Sequence, residues 1–266
     1  MRVKGKSETV TLFGDLKYEF YKIKTTKASY IVLASSFMSI IGLSVLISAI
    51  YTARADHLSI DQLMTTDPAF LSLSGTFLAQ LAVGIFAVLS VTNEYGYGTI
   101  VGSFLLEPRR MRFLAAKLAV VISSVFVSTF LALAAAFTVG QKILSVKFNT
   151  IPILSLTAVR SVTGAALYLT ILAAFCVGIA VVVRRTSGAV ATLFGILLVL
   201  PIIISLLPSP WNVDIGKYLP SSAGVVLTHS FQVANTLTPW EALAVLLLYA
   251  IVWLGWGMYR IVRTDI

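Results

Sequence analysis

Few residues of this chain stand where they could do covalent, nucleotide or metal chemistry. Gly5-Lys6-Ser7 reads like the end of a phosphate-binding loop, where backbone N–H groups cradle phosphates and a lysine reaches them. That motif needs a glycine five positions before Gly5 and a strand ahead of it; the sequence starts at Met1, so no nucleotide site is expected there. Gly96, Gly98 and Gly102 approach a dinucleotide fingerprint, but the last spacing is one residue too long and no βαβ unit surrounds them. The Gly98–Gly102 spacing would suit close helix contact instead. His57 and His229 lack a carboxylate or cysteine at ligand spacing, so metal binding is not expected. Ser74-Gly75 could suggest a serine intramembrane protease, but that chemistry wants a base on a neighbouring helix, and no histidine lies in an apolar run. Cys176 is the sole cysteine, which rules out an intrachain disulfide and a cysteine metal site. The chain is therefore expected to be no enzyme and to hold no cofactor.

What remains is one charged loop. Thr92–Lys117 reads TNEYGYGTIVGSFLLEPRRMRFLAAK. It begins with Glu94 and continues into an amphipathic segment in which Tyr95, Ile100, Phe104 and Leu105 are apolar, with Gly98 and Thr99 between. Pro108 breaks it, and Arg109, Arg110, Arg112 and Lys117 follow. A plain connection needs no such apolar content, so the loop suits a docking surface. An interfacial helix held by snorkelling arginines accounts for the same pattern, and both can hold at once.

The elements around this loop follow from composition. The chain has 266 residues, 58% hydrophobic and only 12% charged. A soluble domain is about 25% charged. That much apolar surface exceeds what a soluble interior can hide, so an integral membrane protein is expected. A span needs roughly 20 apolar residues in a helix. Six segments qualify: Tyr30–Tyr51, Phe70–Thr92, Leu118–Gly140, Ser161–Val183, Ser187–Leu207 and Trp240–Tyr259. The runs are continuous rather than alternating, which argues for helices and against a β-barrel. The reading is a single all-α polytopic domain. The first apolar run starts too late and is too long for a signal core, so the first helix is expected to stay.

The net charge of +9 finds its explanation in topology. With the N-terminus inside, seven basic residues precede Tyr30, four lie in the second-to-third loop, two follow the fourth span and two the sixth. Arg54, Lys142, Lys147, Arg160 and Lys217 remain outside. Fifteen of the 20 bases thus face the cytoplasm, as cytoplasmic loops do, and nucleic acid is not needed to explain them. Both termini are expected to be cytoplasmic. Residues 1–29 form a cytoplasmic segment in which Leu12, Leu16, Phe20 and Ile23 recur at helical spacing while Asp15, Glu19 and Lys22 take another face. An amphipathic helix in the inner interface is expected. Residues 93–117 are the cytoplasmic loop, and 208–239 an external stretch whose part Ser221–Gln232 suits a re-entrant or interfacial helix.

All 31 charges fall in loops or at the ends of these segments. A charge at mid-bilayer costs about 2.5–3.5 kcal/mol or more, and those retained there usually carry ions or protons. Their absence argues against a proton-driven carrier, a proton pump and a metal-dependent intramembrane protease; sodium coupling through carbonyls and hydroxyls stays open. Energy for uphill transport would have to come from outside the chain. Two stripes could face a translocation path: Ser35, Ser39 and Gly42 in the first span, and Ser72, Thr76, Gln80 and Gly84 in the second. Packing through small residues explains the serines as well. Gln80 is the stronger candidate, because a lone amide in a span needs a partner. Pro201 in the fifth span permits a bend.

The Glu94, Gly98-Thr99, Pro108, Arg110, Lys117 pattern resembles the permease subunits of type-2 ABC exporters, which serve drug, antibiotic, peptide and polysaccharide export. The stretch YEFYKIKTTKASYIVLA also looks like that family's approach to its first span. The resemblance implies a dimeric pore-forming subunit, built from two copies or with a homologous permease, in the cell membrane. It implies an elbow helix around Leu12–Lys27 and a coupling helix around Glu94–Leu106 that docks on a separate ABC ATPase, where ATP and Mg would bind. Glu94, Tyr95, Gly98, Thr99, Phe104, Pro108, Arg110 and Lys117 would carry that coupling. Re-entrant helices would precede the last span. Glu107-Pro108-Arg109-Arg110 departs from the family in placing an acid and an extra base where small or polar residues are common. An antibiotic, antimicrobial peptide or lipid-like cargo fits. A different class of function, a non-transporting membrane scaffold or immunity-type binding protein, is the alternative.

Overall fold

The computed structural model describes residues 12–25, 27–96 and 110–263. Among these the regular structure is all helical. Helix α1 (Leu12–Thr25) leads to α2 (Lys27–Arg54). Two short helices, α3 (Ile60–Thr65) and α4 (Pro68–Ser72), precede α5 (Thr76–Gly96). Then come α6 (Arg110–Leu144) and α7 (Leu156–Val183). Next, α8 (Thr186–Phe194) passes through a π turn (Gly195–Val199) into α9 (Leu200–Ser205). Short α10 (Trp211–Gly216) and α11 (Pro220–Val226) lead to α12 (Pro239–Arg263). Six stretches are long and apolar enough to cross a membrane: Tyr30–His57, Thr76–Tyr95, Leu114–Leu144, Leu156–Val183, Thr186–Ser205 and Pro239–Ile261. The chain is a multi-pass, all-α membrane protein.

Helix α7 is the axis of the bundle. It is apolar all round, and such a helix belongs inside; Leu169, Leu172, Phe175, Cys176, Val177 and Ile179 are all buried. It packs on α5, α6 and α12, while α2 packs on α5 and α6. Gly178 lets α7 and α12 meet backbone to backbone: a Cβ there would lie 2.7 Å from the Trp253 carbonyl carbon and 2.8 Å from the Leu254 nitrogen. The outer helices keep one apolar flank exposed, as lipid contact requires, at Met38 and Leu46 on α2, Ile202 and Ile203 on α9, and Leu248, Ile251 and Trp256 on α12.

The apolar run that begins at Phe70 forms two helices rather than one. Asp67 caps the first turn of α4, accepting from the Ala69 and Phe70 N–H groups, with Pro68 at the first helical position. A turn at Leu73–Gly75 separates α4 from α5. The break is held from outside, because the Ser44 hydroxyl accepts from the Gly75 N–H at 3.0 Å and Gly75 lies against the Ile40 backbone with no room for a Cβ. In the fifth apolar segment Pro201 removes a backbone donor. The turn just before it widens into the π segment, where the hydrogen-bond ladder changes register.

Candidate functional site

The polar residues with most at stake gather where α1, α5 and α6 meet. Glu94 lies in the last turn of α5, one turn beyond Ser90 on the same face. Lys117 is the eighth residue of α6, near buried Leu114, Ala116 and Val120. Its Nζ donates to Glu94 Oε1 at 2.6 Å, to Glu19 Oε2 of α1 at 2.8 Å and to the Ser90 carbonyl at 3.2 Å. Lys22, one turn along α1 from Glu19, also donates to Glu94 Oε1. Glu19, Glu94 and Lys117 are each under 5% exposed. Two carboxylates and two ammonium groups thus balance among the described residues. Ions so far from water survive only when paired and hydrogen-bonded.

The cluster sits where charges were expected, at the ends of two spans. Glu94 and Lys117 both lie within stretches capable of crossing a membrane, Thr76–Tyr95 and Leu114–Leu144. They are tolerated because each brings the counter-ion of the other. The cluster also orients α1: its Glu19 and Lys22 turn toward the bundle, while Phe20 and Tyr21 stay exposed.

Beside this cluster Arg184 closes α7 in the left-handed conformation, φ 60°. Its guanidinium sits 5.8 Å from the centre of the Tyr95 ring and donates to the Arg260 carbonyl. Arg260 in turn donates to the Val182 carbonyl at 2.6 Å, binding the ends of α7 and α12. Thr186 Oγ1 donates to Thr92 Oγ1 at 2.9 Å and ties α8 to α5.

Of the residues expected to couple, the structure brings Glu94 and Lys117 together and sets Tyr95 against Arg184. Arg110 is the first residue of α6. Gly98, Thr99, Phe104 and Pro108, and most of the expected helix Glu94–Leu106, lie outside the described residues. Glu19 and Lys22 were visible in sequence only as the polar face of α1. Their spacing showed which face was polar, not that it turns toward the bundle.

Of the expected path residues, Thr76 and Gln80 lie one turn apart on α5 and line one cavity, while Ser72 is separated from them. Ser72 is on α4, where its hydroxyl accepts from Gln141 Nε2 at 3.0 Å. Thr76 Oγ1 donates back to the Leu73 carbonyl at 2.9 Å. Ser35 and Ser39 donate to carbonyls three residues earlier within α2. Gln80 differs: its Oε1 accepts from the Tyr168 hydroxyl of α7 at 2.5 Å, deep between helices. The lone amide has the partner its position called for.

The opposite end of the bundle is held by Asp67. Its Oδ2 accepts from the Ser230 N–H at 2.7 Å and lies 3.0 Å from His229 Nδ1, while Oδ1 accepts from the Ser230 hydroxyl at 2.8 Å. The His229 ring stacks on Phe70 with centroids 4.6 Å apart and planes 6° from parallel. The segment between α11 and α12 is thereby clasped to the start of α4. Burial pushes the Asp67 carboxyl up, but the hydrogen bonds from His229, Ser230 and Ala69 outweigh it and hold its pKa below the ordinary carboxylate value.

A search among curated proteins finds no match to the chain. The family described as "ABC-2 family transporter protein" matches residues 16–201. That stretch runs from within α1 to within α9 and contains all four members of the ion cluster together with Gln80 and Tyr168. With most of its length matched, the chain belongs to the ABC-2 transporter family.

Proposed function

We propose that this chain is the membrane-spanning subunit of an ATP-driven exporter, working as a dimer with itself or a similar permease and driven by a separate ABC ATPase on the cytoplasmic face. The observation that carries the reading beyond family membership is the buried Glu19–Lys117–Glu94 cluster. It joins α1, α5 and α6 at the point where the 97–109 connection leaves α5 and re-enters α6. In this proposal the connection docks on the ATPase and both termini are cytoplasmic. A push on it moves α5 and α6 together with α1, because parting them would strand buried charge. The movement reaches the far end of α5, where Gln80 and Thr76 lie roughly 20–27 Å away at 1.5 Å per residue. ATP and Mg bind the partner alone. An antibiotic, a peptide or a lipid-like molecule is the proposed cargo class.

The test is purification of the tagged chain from its native host in mild detergent, followed by reconstitution. An ATPase subunit should come with it, and ATP should drive cargo movement. Glu94→Gln should lower transport per ATP hydrolysed while the subunits stay associated. A stable chain without an ATPase, whose protective effect survives loss of every ABC ATPase, would overturn the proposal in favour of a scaffold or immunity protein.

A further inference from the structure

A cavity of about 550 Å³ lies between α2, α4, α5, α7 and α11, at the end of the bundle opposite the ion cluster. Its size is in the range that holds a small molecule. Tyr51 and Phe77 line it and are 37% and 56% exposed, so it opens sideways on the flank that meets lipid. The lining is apolar apart from neutral groups, notably Gln80, Tyr168, Ser74 and Ser222, and contains no charged residue. Two of these polar groups lack what they need. Gln80 is 2% exposed and spends its carbonyl on Tyr168, and among the described residues no acceptor meets its NH2. The Ser74 hydroxyl is buried without a partner. A polar group left unpaired away from water is costly.

We infer that this cavity binds one acyl chain of a membrane amphiphile, whose ester carbonyl accepts from the Gln80 amide. The chain fills the apolar walls, the carbonyl satisfies Gln80, and a charged headgroup stays outside. The same chemistry is offered by a bilayer phospholipid and by a free acyl ester. Binding needs neither ATP nor a partner subunit, so its failure leaves the permease proposal standing.

The test uses the full chain in phosphatidylcholine vesicles carrying a trace of phosphatidylcholine with a diazirine in one acyl chain, followed by mapping of the photo-adducts. Adducts should concentrate on Phe77, Ile47 and Val225 above those on Leu248 and Ile251 of α12, which report ordinary lipid contact. An ether-linked analogue lacks the carbonyl. It should label the cavity roughly three- to tenfold less, the size of one neutral hydrogen bond, and α12 equally. Gln80→Leu should erase the ester preference. Ser222→Trp, which fills the cavity, should reduce labelling by both lipids there. Displacement by excess unlabelled acyl methyl ester would identify a free amphiphile as an accepted ligand; labelling that resists it would identify the bilayer phospholipid. Cavity labelling no stronger than that on α12, or equal for ester and ether in the wild-type chain, would overturn the inference.

Discussion

Lys117 of α6 reaches Glu94 of α5 at 2.6 Å, with both side chains 3% exposed. Two helices capable of crossing a membrane are thus joined by an ion pair inside the protein rather than by apolar packing alone. Removing one partner of a buried pair costs more than the pair itself contributes, because the other charge is left stranded. The joint therefore resists being pulled apart more than it adds to stability, a property suited to transmitting movement.

Lys117→Met should be the most damaging change at this joint. It leaves Glu19 and Glu94 buried together with Lys22 as their remaining described cation, at a cost of about 3–5 kcal/mol. Glu94→Gln should cost less, because Lys117 keeps Glu19 at 2.8 Å. Thermal unfolding in detergent measures both. Equal midpoints for Lys117→Met and wild type would show that the cluster is not buried as described.

Asp67 should give the protein an acid-sensitive component of stability. Its folded pKa lies below its unfolded value of about 3.9. The contribution is therefore complete above about pH 4–5 and is lost as pH falls through the lower folded value. Asp67→Asn should lose about 1–3 kcal/mol at neutral pH, since the amide cannot accept at both oxygens. Its unfolding midpoint should also fall less steeply than that of wild type below pH 4. Parallel pH profiles for the two proteins would refute the assignment.

Gln80 shows what the sequence could convey. A single amide in an apolar run must find a partner, so its importance was legible; that the partner is Tyr168, 88 residues away, was not. The six apolar stretches were legible for the same reason, since every backbone group in lipid must be satisfied within its own helix. The break between Ser72 and Thr76 was hidden, because hydropathy does not register Ser44 accepting from Gly75 across two helices. That break takes Ser72 out of the four-residue stripe and leaves Thr76 and Gln80 one turn apart on α5. Glu19 was missed as a site residue because an amphipathic pattern reveals two faces but not which one the protein covers. The covered face is the polar one, and only the position of Lys117 decides it.

Tyr168→Phe should separate the hydrogen bond from the packing around it. The ring also lies against Gly224 of α11, where a Cβ would collide with it, so Phe keeps the contact and loses only the hydroxyl. A neutral hydrogen bond contributes about 0.5–1.5 kcal/mol, and Gln80 stays buried with its carbonyl unpaired, so a loss near the upper end is expected. Gly224→Ala should also destabilise, by about 1–3 kcal/mol, through overpacking against the same ring. The two effects should not add, because a shift of the ring that relieves the alanine also spoils the bond to Gln80. Unfolding midpoints of the two single variants and the double variant measure the coupling. Strict additivity would mean that α11 and the Gln80 pair are independent of each other.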